Sequence, residues 1–322
     1  MNILITGGAG FIGSTLADKL LKIESNNVIV IDNFNDYYST TLKEKNIKHN
    51  LDNKNYKLYR GDICDKNLLS KIFEENQIDV VVHIAASAGV RPSIENPLSY
   101  VKNNIEGTVN IVEVMKENGI KKIVFASSSS IYGNCKEEIF SEDLKVSEPI
   151  SPYAASKSAC EQFLYTYSKL FDIQVVALRF FTVFGPRQRP DLAIRKFIDL
   201  IKENKPIPVY GDGTTIRDYT YVDDIVDGII SAINYNDTPY EIINLGGGAP
   251  VSLNQMIETI EKVLNKKATI EHLPMQLGDV NKTAADITKA KKLLNYNPKT
   301  SFKEGIIKFI EWEILWKKIL KF

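Results

Sequence analysis

A glycine-rich stretch near the start of the chain, residues 6–13, constrains the fold more than any other feature. It follows the apolar run Ile3-Leu4-Ile5 and precedes a spacing of Leu and Ala residues that is typical of an amphipathic helix. Its glycines, Gly7, Gly10 and Gly13, allow a tight turn and let the backbone approach a pyrophosphate, whose charge the N–H groups of a helix N-terminus attract. Strand, glycine turn and helix in this order predict a dinucleotide-binding unit, although glycine clusters also form ordinary turns.

The second predicted strand ends in a carboxylate. Ile29-Val30-Ile31 is followed by Asp32, about 20 residues after Gly13, where an acid accepts hydrogen bonds from the adenosine ribose hydroxyls. A carboxylate at this position repels a 2′-phosphate. The sequence therefore favours NAD over NADP as the cofactor.

Strand and helix patterns alternate through the first half of the chain. Further strands are predicted at 56–60, 79–86, 122–127 and 174–180. Such alternation predicts an α/β fold of the Rossmann type, a doubly wound parallel sheet that binds ligands at the carboxyl ends of its strands. We predict this domain over residues 1–180, with 220–248 returning to it. Beyond Gly185, Pro and Gly interrupt the pattern, so 181–219 and 249–322 are expected to form a smaller α/β substrate lobe.

Composition argues against several classes of protein. The 322 residues carry 40 basic and 40 acidic side chains, which gives no electrostatic reason to expect a nucleic-acid or membrane-surface partner. No apolar run approaches the ~20 residues needed to span a bilayer, and the first strand leaves no room for a signal peptide. The three cysteines and three histidines lack disulfide or metal-ligand spacing. We therefore expect a cytoplasmic protein without a metal site.

Two further strand ends are candidate cofactor contacts. Asp62-Ile63 follows the third predicted strand and could bind an adenine amino group and pack against its ring, or could form a plain turn. The fourth strand opens into the small residues Ala85 and Ala86, as expected beside a bound cofactor.

Tyr153 and Lys157 are the candidate catalytic pair. Four residues apart in a predicted helix, they lie on one face, one turn from each other. A phenol pKa near ~10 is too high for a base at neutral pH, and a nearby cation lowers it. The same spacing also arises by chance in surface pairs. However, the preceding strand ends in the serine run 127–130, which strand order would put at the nicotinamide end of the cofactor. Ser, Tyr and Lys there could remove a proton from an alcohol while hydride leaves its carbon.

These motifs resemble those of the extended short-chain dehydrogenase/reductases over the whole chain, and within that superfamily most closely those of the UDP-glucuronate 4-epimerases. The matching stretches are 6–13, 32–38, 85–91 with Asn96-Pro97, 127–133, 153–157, 179–193 and 273–280. The resemblance to the superfamily is carried by several motifs that occur in order at compatible spacings. The resemblance to the UDP-glucuronate 4-epimerases is carried by fewer residues, namely 35–38, the serine run and 181–191.

The resemblance implies epimerisation of a UDP-sugar at C4, with NAD regenerated in each turnover. Tyr153 would remove the C4 hydroxyl proton, Lys157 would bind the nicotinamide ribose and lower the pKa of Tyr153, and Ser128 would bond the C4 oxygen. The 4-keto sugar would then turn its other face to the NADH, which returns the hydride. The residues implied to contact the cofactor are Gly7, Gly10, Phe11, Ile12, Gly13, Asp32, Asn33, Asp62, Ile63, Ala85, Ala86, Tyr153, Lys157 and Phe180.

For the substrate, the resemblance implies that Arg217 clamps the diphosphate, a task suited to a guanidinium fork; an inter-lobe salt bridge is the alternative. Thr182 stands where many UDP-hexose 4-epimerases carry Asn, and it favours the uronate branch. Arg189 and Arg91 are candidates for contacting the diphosphate or a carboxylate, with surface ion pairing as the alternative. Asp279, in the last motif, completes the implied substrate-binding set.

Ser129 and Ser130 bear on the type of reaction. Related decarboxylases and 4,6-dehydratases carry Glu at the position of Ser130, and dehydratases carry Asp at that of Ser129. With serines at both positions, the chain lacks the acid–base group of those enzymes, and the Ser129 and Ser130 hydroxyls could instead fix the sugar carboxylate in an orientation that disfavours its loss. The predicted activity is therefore conversion of UDP-glucuronate to UDP-galacturonate for polysaccharide biosynthesis.

Other activities stay open. The main alternative is a 4-epimerase of neutral UDP-hexoses or UDP-N-acetylhexosamines. Less favoured are a UDP-glucuronate decarboxylase, a nucleotide-sugar 4,6-dehydratase and a non-catalytic NAD-binding protein. The family resemblance also implies a homodimer that packs the helices predicted at 97–118 and 153–171 against their copies. The second of these is apolar or small on nearly every side, as such packing requires.

Overall fold

The structure, a computed structural model, describes residues 1–275 and 280–319, with side chains in the last helix as far as Leu315. The strands of the described residues are β1 (Asn2–Thr6), β2 (Asn27–Asp32), β3 (Tyr56–Arg60), β4 (Val80–His83), β5 (Lys122–Ser128), β6 (Gln174–Phe180), β7 (Thr182–Phe184), β8 (Ile207–Tyr210), β9 (Ile216–Arg217), β10 (Tyr219–Tyr221), β11 (Tyr240–Leu245), β12 (Val251–Ser252) and β13 (Ile270–Leu273). The α-helices are α1 (Phe11–Leu20), α2 (Thr40–Ile47), α3 (Lys66–Glu75), α4 (Val90–Glu95), α5 (Pro97–Tyr100), α6 (Gly107–Glu117), α7 (Pro152–Phe171), α8 (Ala193–Lys202), α9 (Val222–Asn234), α10 (Leu253–Leu264), α11 (Thr288–Leu294) and α12 (Phe302–Ile319).

One parallel sheet of seven strands organises the molecule. Its order is β11-β6-β5-β4-β1-β2-β3, so the chain reverses its direction of travel across the sheet between β1 and β4. In register, Thr6 at the end of β1 lies beside His83 at the end of β4. The predicted doubly wound sheet is confirmed, and the switch point where such sheets bind ligands lies at these two strand ends.

Helices cover both faces of the sheet because its strands are apolar on both sides. Ile3 and Ile5 of β1 belong to one apolar cluster, together with residues of α1 and α9. Leu4, between them, belongs to a second cluster with residues of α3, α6 and α7. Alternate side chains of a strand point to opposite faces, so a strand buried on both faces reads as a continuous apolar run.

The remaining strands form small two-stranded sheets outside the large one. They pair as β10 with β7, β12 with β9, and β13 with β8. The first apolar cluster continues from the large sheet into these elements through Phe197 of α8, Ile257 of α10 and Phe309 of α12. The chain returns to the large sheet through α9, which is ion-paired to α1 by Lys19 and Asp227, and through β11.

The helix predicted at 97–118 is interrupted. A π-helical segment, Val101–Glu106, separates α5 from α6. The side chain of Asn104, within it, accepts a hydrogen bond from the Ser87 N–H (2.7 Å) and donates one to the Ser156 hydroxyl (2.9 Å). The interruption therefore joins the loop after β4 to α7, and π-segments are frequent near functional sites. Among the described helices, none has the length and apolarity needed to cross a bilayer.

Candidate active site

Three glycines of the turn between β1 and α1 are predicted to contact the cofactor, and of these only Gly10 has free space beside it. Gly7 has φ +71°, and a Cβ there would lie 2.9 Å from the Ala85 Cα. A Cβ on Gly13 would lie 2.3 Å from the Gly7 carbonyl oxygen. On Gly10 it would meet only that same oxygen, at 3.2 Å. Gly7 and Gly13 are thus required by the turn itself, whereas Gly10 leaves room beside the N-terminus of α1, where Phe11 and Ile12 begin the helix.

Asp32 is bonded to the glycine turn. Its nearly buried carboxylate accepts hydrogen bonds from the N–H groups of Ala9 (3.0 Å) and Phe34 (2.9 Å), and burial raises its pKa. At the next strand end, the Asn33 amide donates to the Asp62 carboxylate (2.8 Å). These strand ends therefore bring together Asp32, Asn33 and Asp62. The Ile63 side chain instead lies in the apolar cluster with α6, where a Cβ on Gly107 would be 2.5 Å from it.

A buried hydrogen-bonded row fixes the end of β4 beside the turn. The Thr6 hydroxyl accepts from the Ala85 N–H (3.0 Å) and donates to His83 Nδ1 (2.7 Å), while His83 Nε2 donates to Thr108 (3.0 Å). Thr108 gives its own proton to the Asn104 carbonyl (2.6 Å). Burial lowers the pKa of His83 to about 3, so this histidine is neutral and fully hydrogen-bonded. Within the described residues, no group of three or more His, Cys, Asp or Glu side chains could hold a metal ion.

The end of β5 and the start of α7 bring together Ser128, Tyr153 and Lys157. Ser151 caps α7 by accepting from the Ala154 N–H (3.1 Å). Lys157, 3% exposed, donates to the Ala126 carbonyl (2.8 Å), and burial lowers its pKa to about 8. The three predicted catalytic residues therefore lie at the carboxyl edge of the sheet.

The electrostatics of Tyr153 involve more groups than the sequence predicted. Burial raises its pKa, while a hydrogen bond from Ser128 and the positive charge of Arg189 lower it. Sequence reasoning named Lys157 for the lowering, but the Lys157 ammonium is directed at a backbone carbonyl. Tyr100 packs edge-on against the Tyr153 ring, with the centroids 6.1 Å apart.

The other residues predicted near this edge lie on β5, β6 and β7. Ser129 and Ser130 are half-buried in a 3-10 turn, where the Ser130 N–H donates to the Ser128 hydroxyl (3.2 Å). Phe180 is opposite Ser128 in the register of β5 and β6. Thr182 begins β7, two residues after Phe180, and is opposite Tyr219 of β10.

A cavity of about 210 Å³ lies among the small sheets. It is lined by apolar and aromatic side chains together with three cations and one carboxylate. These residues are Arg91, Asp191, Ala193, Lys196, Phe197, Pro208, Tyr210, Thr215, Arg217, Tyr219, Leu253 and Met275. The structure thus brings Arg91 and Arg217 together, with the Arg91 guanidinium 4.8 Å above the Tyr210 ring. Asp279, also predicted to contact substrate, lies outside the described residues.

Arg189 lies at the boundary between the cavity and the Tyr153 edge. It forms a two-point ion pair with Asp191 (3.1 and 2.9 Å), and its guanidinium lies 5.0 Å from the centre of the Tyr37 ring. Its side chain is mostly buried, whereas its partner Asp191 is exposed, so the ion pair considered as an alternative is present at the rim of the site. It is therefore the arginine whose charge acts on Tyr153.

Sequence reasoning missed two residues. Lys196 lines the cavity, and no motif marks it, because its position depends on how α8 packs against β8. Arg187 has a left-handed backbone (φ +67°), and its side chain donates to Ser14 (3.2 Å) and Asp18 (2.6 Å) of α1. It ties the loop that carries Arg189 to the helix that follows the glycine turn. The only available sequence signal was its place in a run of alternating arginines.

A parallel sheet with a glycine turn at its switch point and a Ser–Tyr–Lys set beside it defines a Rossmann-type dinucleotide-binding protein. The chain belongs to the GDP-mannose 4,6 dehydratase family, whose sequence profile matches residues 4–309. This confirms the family resemblance inferred from the motifs.

Relatives of known name agree with this assignment. A UDP-glucuronate 4-epimerase of Thermodesulfobacterium geofontis is 48% identical over 310 residues, which are 96% of this chain and 95% of that protein. The crystal structure of UDP-glucuronic acid 4-epimerase from Bacillus cereus, in complex with UDP-glucuronic acid and NAD, superposes with a TM-score of 0.93 at 40% identity, covering 98% of this chain and all of that one. A UDP-glucose 4-epimerase from Thermotoga maritima, solved with UDP-glucose, gives a TM-score of 0.90 at 32% identity and covers 99% and 100% of the two chains.

Proposed function

We propose that this protein is an NAD-dependent isomerase that epimerises a UDP-sugar at C4, converting UDP-glucuronate to UDP-galacturonate through a transient 4-keto sugar. The observation that carries the proposal is that Ser128, Tyr153 and Lys157 share one sheet edge, and that Arg189, whose charge acts on Tyr153, is ion-paired with Asp191 in the lining of a cavity with three cations. The B. cereus relative with UDP-glucuronic acid and NAD supports the choice of substrate and cofactor.

The strand ends fit NAD. Gly10 leaves room for a pyrophosphate against the start of α1, and Asp32 supplies a carboxylate for ribose hydroxyls. Asn33 and Asp62 would contact the adenosine end, and Ala85, Ala86 and Phe180 would line the path toward Tyr153. Bound there, NAD supplies a hydride acceptor and, once reduced, a hydride donor.

Tyr153 is the proposed acid–base residue. It takes the C4 hydroxyl proton when the sugar is oxidised and gives a proton back when the keto group is reduced. Both directions are needed, so its pKa must be intermediate. Burial raises that pKa, and Ser128 and Arg189 lower it. Ser128 also bonds the C4 oxygen, and Lys157 holds the nicotinamide ribose beside Tyr153.

The cavity suits a nucleoside diphosphate. Arg91, Lys196 and Arg217 bring three positive charges against the one carboxylate of Asp191. We propose that they bind the diphosphate, and that Asp279 and Thr182 contact the UDP-sugar elsewhere. Ser129 and Ser130 follow Ser128 at the end of β5, and their hydroxyls would hold the sugar carboxylate in an orientation that disfavours loss of CO2.

One observation favours the neutral-sugar alternative. Arg189, a candidate for contacting a carboxylate, already forms a two-point ion pair with the carboxylate of Asp191. A 4-epimerase of neutral UDP-hexoses or UDP-N-acetylhexosamines has no need of a further cation there.

The deciding experiment is incubation of the purified protein with UDP-glucuronate, UDP-glucose and UDP-N-acetylglucosamine, without added NAD, followed by separation of the products. We expect conversion of the uronate to UDP-galacturonate with no UDP-pentose. Conversion of a neutral sugar alone would favour the alternative, and a pentose product would indicate a decarboxylase. No conversion by protein that carries NAD would mean that it only binds the cofactor.

We further propose that residues 1–180 and 220–248 bind the cofactor, and that 181–219 and 249–322 bind the UDP-sugar. The lining of the cavity supports this division, since Arg91 is its only member from the first set among the described residues. The free thiols of the three cysteines suit a cytoplasmic protein. A place in polysaccharide biosynthesis follows from the proposed product.

We also propose that the protein is a homodimer. Leu98 of α5 and Leu170 of α7 are 77% and 68% exposed, and Val101 and Phe163 of the same two regions are also exposed. Pairing these helices with their copies would bury this apolar surface. Light scattering at micromolar concentration should give twice the chain mass, and a Leu98→Asp/Leu170→Asp double variant should be monomeric. Leu51→Asp, at another exposed leucine outside these two helices, is the control; a monomeric wild type would contradict the proposal.

A further inference from the structure

Three consecutive residues at the end of β5 face α7. Ala126 accepts a hydrogen bond from Lys157 (2.8 Å), Ser127 donates one to Glu161 (2.5 Å), and Ser128 lies near enough to Tyr153 to lower its pKa. The helix residues of these contacts are spaced by four, so they lie on one face of α7 in successive turns. Two of the three contacts belong to the proposed catalytic set, whereas the Ser127–Glu161 contact lies one turn deeper.

Glu161 is held by a buried arginine of the neighbouring strand. Arg179 of β6 donates to both Glu161 oxygens (3.0 and 2.8 Å), and the two residues are only 2% and 1% exposed. Arg179 is opposite Ser127 in the register of β5 and β6. Its remaining Nη1 donates to the Tyr132 hydroxyl (3.0 Å), which in turn donates to Asn244 of β11 (2.7 Å). The carboxylate is therefore fixed by β5 and β6 together.

Such a pair is not explained by stability alone. Desolvating two charges costs about as much as their attraction returns, so apolar residues of similar volume would serve a core equally well. A charged, multiply bonded pair does, however, specify one arrangement of the elements that it joins. Here those elements are the strand that carries Ser128 and the helix that carries Tyr153 and Lys157.

We propose that Glu161 and Arg179 are a positioning pair, which fixes the register of α7 against the end of β5 so that Tyr153 and Lys157 meet Ser128 in the reactive geometry. The inference rests on the proposed function for its kinetic consequences, because a displacement of about 1 Å at a reacting centre can cost about 10²-fold in rate. Neither residue touches substrate or cofactor in this proposal.

The charges around Lys157 support the assignment. Burial lowers the pKa of Lys157, and Cys160 and Glu161 of α7 raise it. The imidazole of His83 on β4, which also faces Lys157, is neutral. On β5, the Ala126 carbonyl and the Phe125 ring face the ammonium. Glu161 is therefore the anionic carboxylate among these neighbours, and its removal should make Lys157 lose its proton at lower pH.

The test compares Glu161→Gln, the charge-neutral double variant Glu161→Gln/Arg179→Gln, and Ser127→Ala, which removes only one hydrogen bond. We expect kcat to fall about 10- to 100-fold in the first two and about three- to tenfold in Ser127→Ala, with KM and NAD content within twofold of wild type. The alkaline limb of the pH profile should move to lower pH in Glu161→Gln. Glu313→Gln is the matched control, a nearly buried carboxylate paired with Lys202 of α8, and it should lower stability without changing kcat.

A second readout does not depend on turnover. The ionisation of Tyr153 can be followed as the near-ultraviolet absorbance difference between each protein and its Tyr153→Phe counterpart. We expect the phenol pKa to shift in Glu161→Gln and in Ser127→Ala but not in Glu313→Gln. Folded variants with wild-type kcat, or an unchanged Tyr153 titration in Ser127→Ala, would overturn the positioning role. A wild type that converts no UDP-sugar would instead overturn the proposed function, and the titration would still decide the inference.

Discussion

The large parallel sheet and the cavity among the small sheets prepare their ligand sites in different ways. Along the sheet, the carboxyl ends of β1, β2 and β4 converge because their strands run in register over four or more residues. Around the cavity, the paired strands are two to four residues long, and the site is defined by the side chains of Arg91, Lys196 and Arg217. The backbone conformation at the strand ends therefore defines the proposed cofactor site, whereas cationic side chains define the proposed substrate site.

This difference predicts two kinds of sensitivity to mutation. At the sheet edge, adding a single methyl group should matter more than removing a charge, because Gly7 and Gly13 have no space for one. In the cavity, small changes in side-chain volume should have little effect, whereas the number and geometry of the cations should determine the affinity for the UDP-sugar. Tyr153 stands where the two regions meet, so its replacement tests both at once.

The largest effect is expected from Tyr153→Phe. Without the phenol oxygen, the proposed acceptor of the C4 proton is lost, so kcat should fall by at least about 10²-fold. Bound NAD should be retained, because the glycine turn is unaltered. Product separation after incubation with UDP-glucuronate measures the rate, and the absorbance of the purified protein measures the cofactor.

Tyr165→Phe is the control for this change, since Tyr165 is an exposed tyrosine of the same helix. It should leave both quantities as in wild type. Near-normal turnover in Tyr153→Phe would exclude this tyrosine as the base. Loss of NAD from Tyr153→Phe would show that cofactor binding depends on Tyr153 as well as on the glycine turn.

The next effect is the dependence of turnover on pH. Burial lowers the pKa of Lys157 to about 8, so its ammonium form exists below that pH and is lost above it. If the ammonium holds the nicotinamide ribose, kcat should fall by up to about tenfold for each pH unit above 8. A pH–rate profile checks this, with far-ultraviolet circular dichroism to show that the protein stays folded. A flat profile through this range would contradict the role of the Lys157 charge.

The glycine turn offers a smaller and more specific test. A Cβ on Gly10 meets only the Gly7 oxygen within the protein, and the backbone there (φ −75°) accepts alanine. Gly10→Ala should therefore fold normally yet obstruct the pyrophosphate, weakening NAD binding by about tenfold, equivalent to about 1.4 kcal/mol. Calorimetric titration of NAD into cofactor-stripped protein gives the affinity.

Gly119→Ala is the opposite case. Gly119 has φ +70° and no atom within 4 Å of an added Cβ, so alanine there should lower the free energy of unfolding by about 1 kcal/mol and leave NAD binding unchanged. Equal NAD affinities in the two variants would mean that the space beside Gly10 does not hold the pyrophosphate.

Features that depend on local sequence patterns could be predicted, whereas features that depend on contacts between distant segments could not. The glycine turn, the strand ending at Asp32 and the Tyr153–Lys157 spacing are local patterns, and the structure has each of them in the predicted element. The π-segment at Val101–Glu106 depends on Asn104 bonding Ser87 and Ser156, which are distant in sequence. Periodicity alone could not reveal that contact.

The same reasoning explains what was missed in the site. Lys196 lines the cavity because of how α8 packs against β8, and Arg187 reaches α1 through a left-handed backbone conformation. Neither contact leaves a short-range pattern. The sequence-based prediction for the pKa of Tyr153 was incomplete for a similar reason, because Arg189 acts on it from a different segment of the chain.

The smallest predicted effect tests the cavity. Arg217→Lys keeps the charge and removes the planar fork that binds two phosphate oxygens at once, so KM for the UDP-sugar should rise about three- to tenfold while kcat changes little. Steady-state kinetics with UDP-glucuronate measures both constants, and titration with UDP alone shows whether the loss lies in the diphosphate. Lys266→Arg, at an exposed position outside the lining of the cavity, should have no effect. If kcat fell in Arg217→Lys while the affinity for UDP was unchanged, Arg217 would act at the reacting sugar and not at the diphosphate. The contrast between a site formed by the backbone and a site formed by cations would then fail for the cavity.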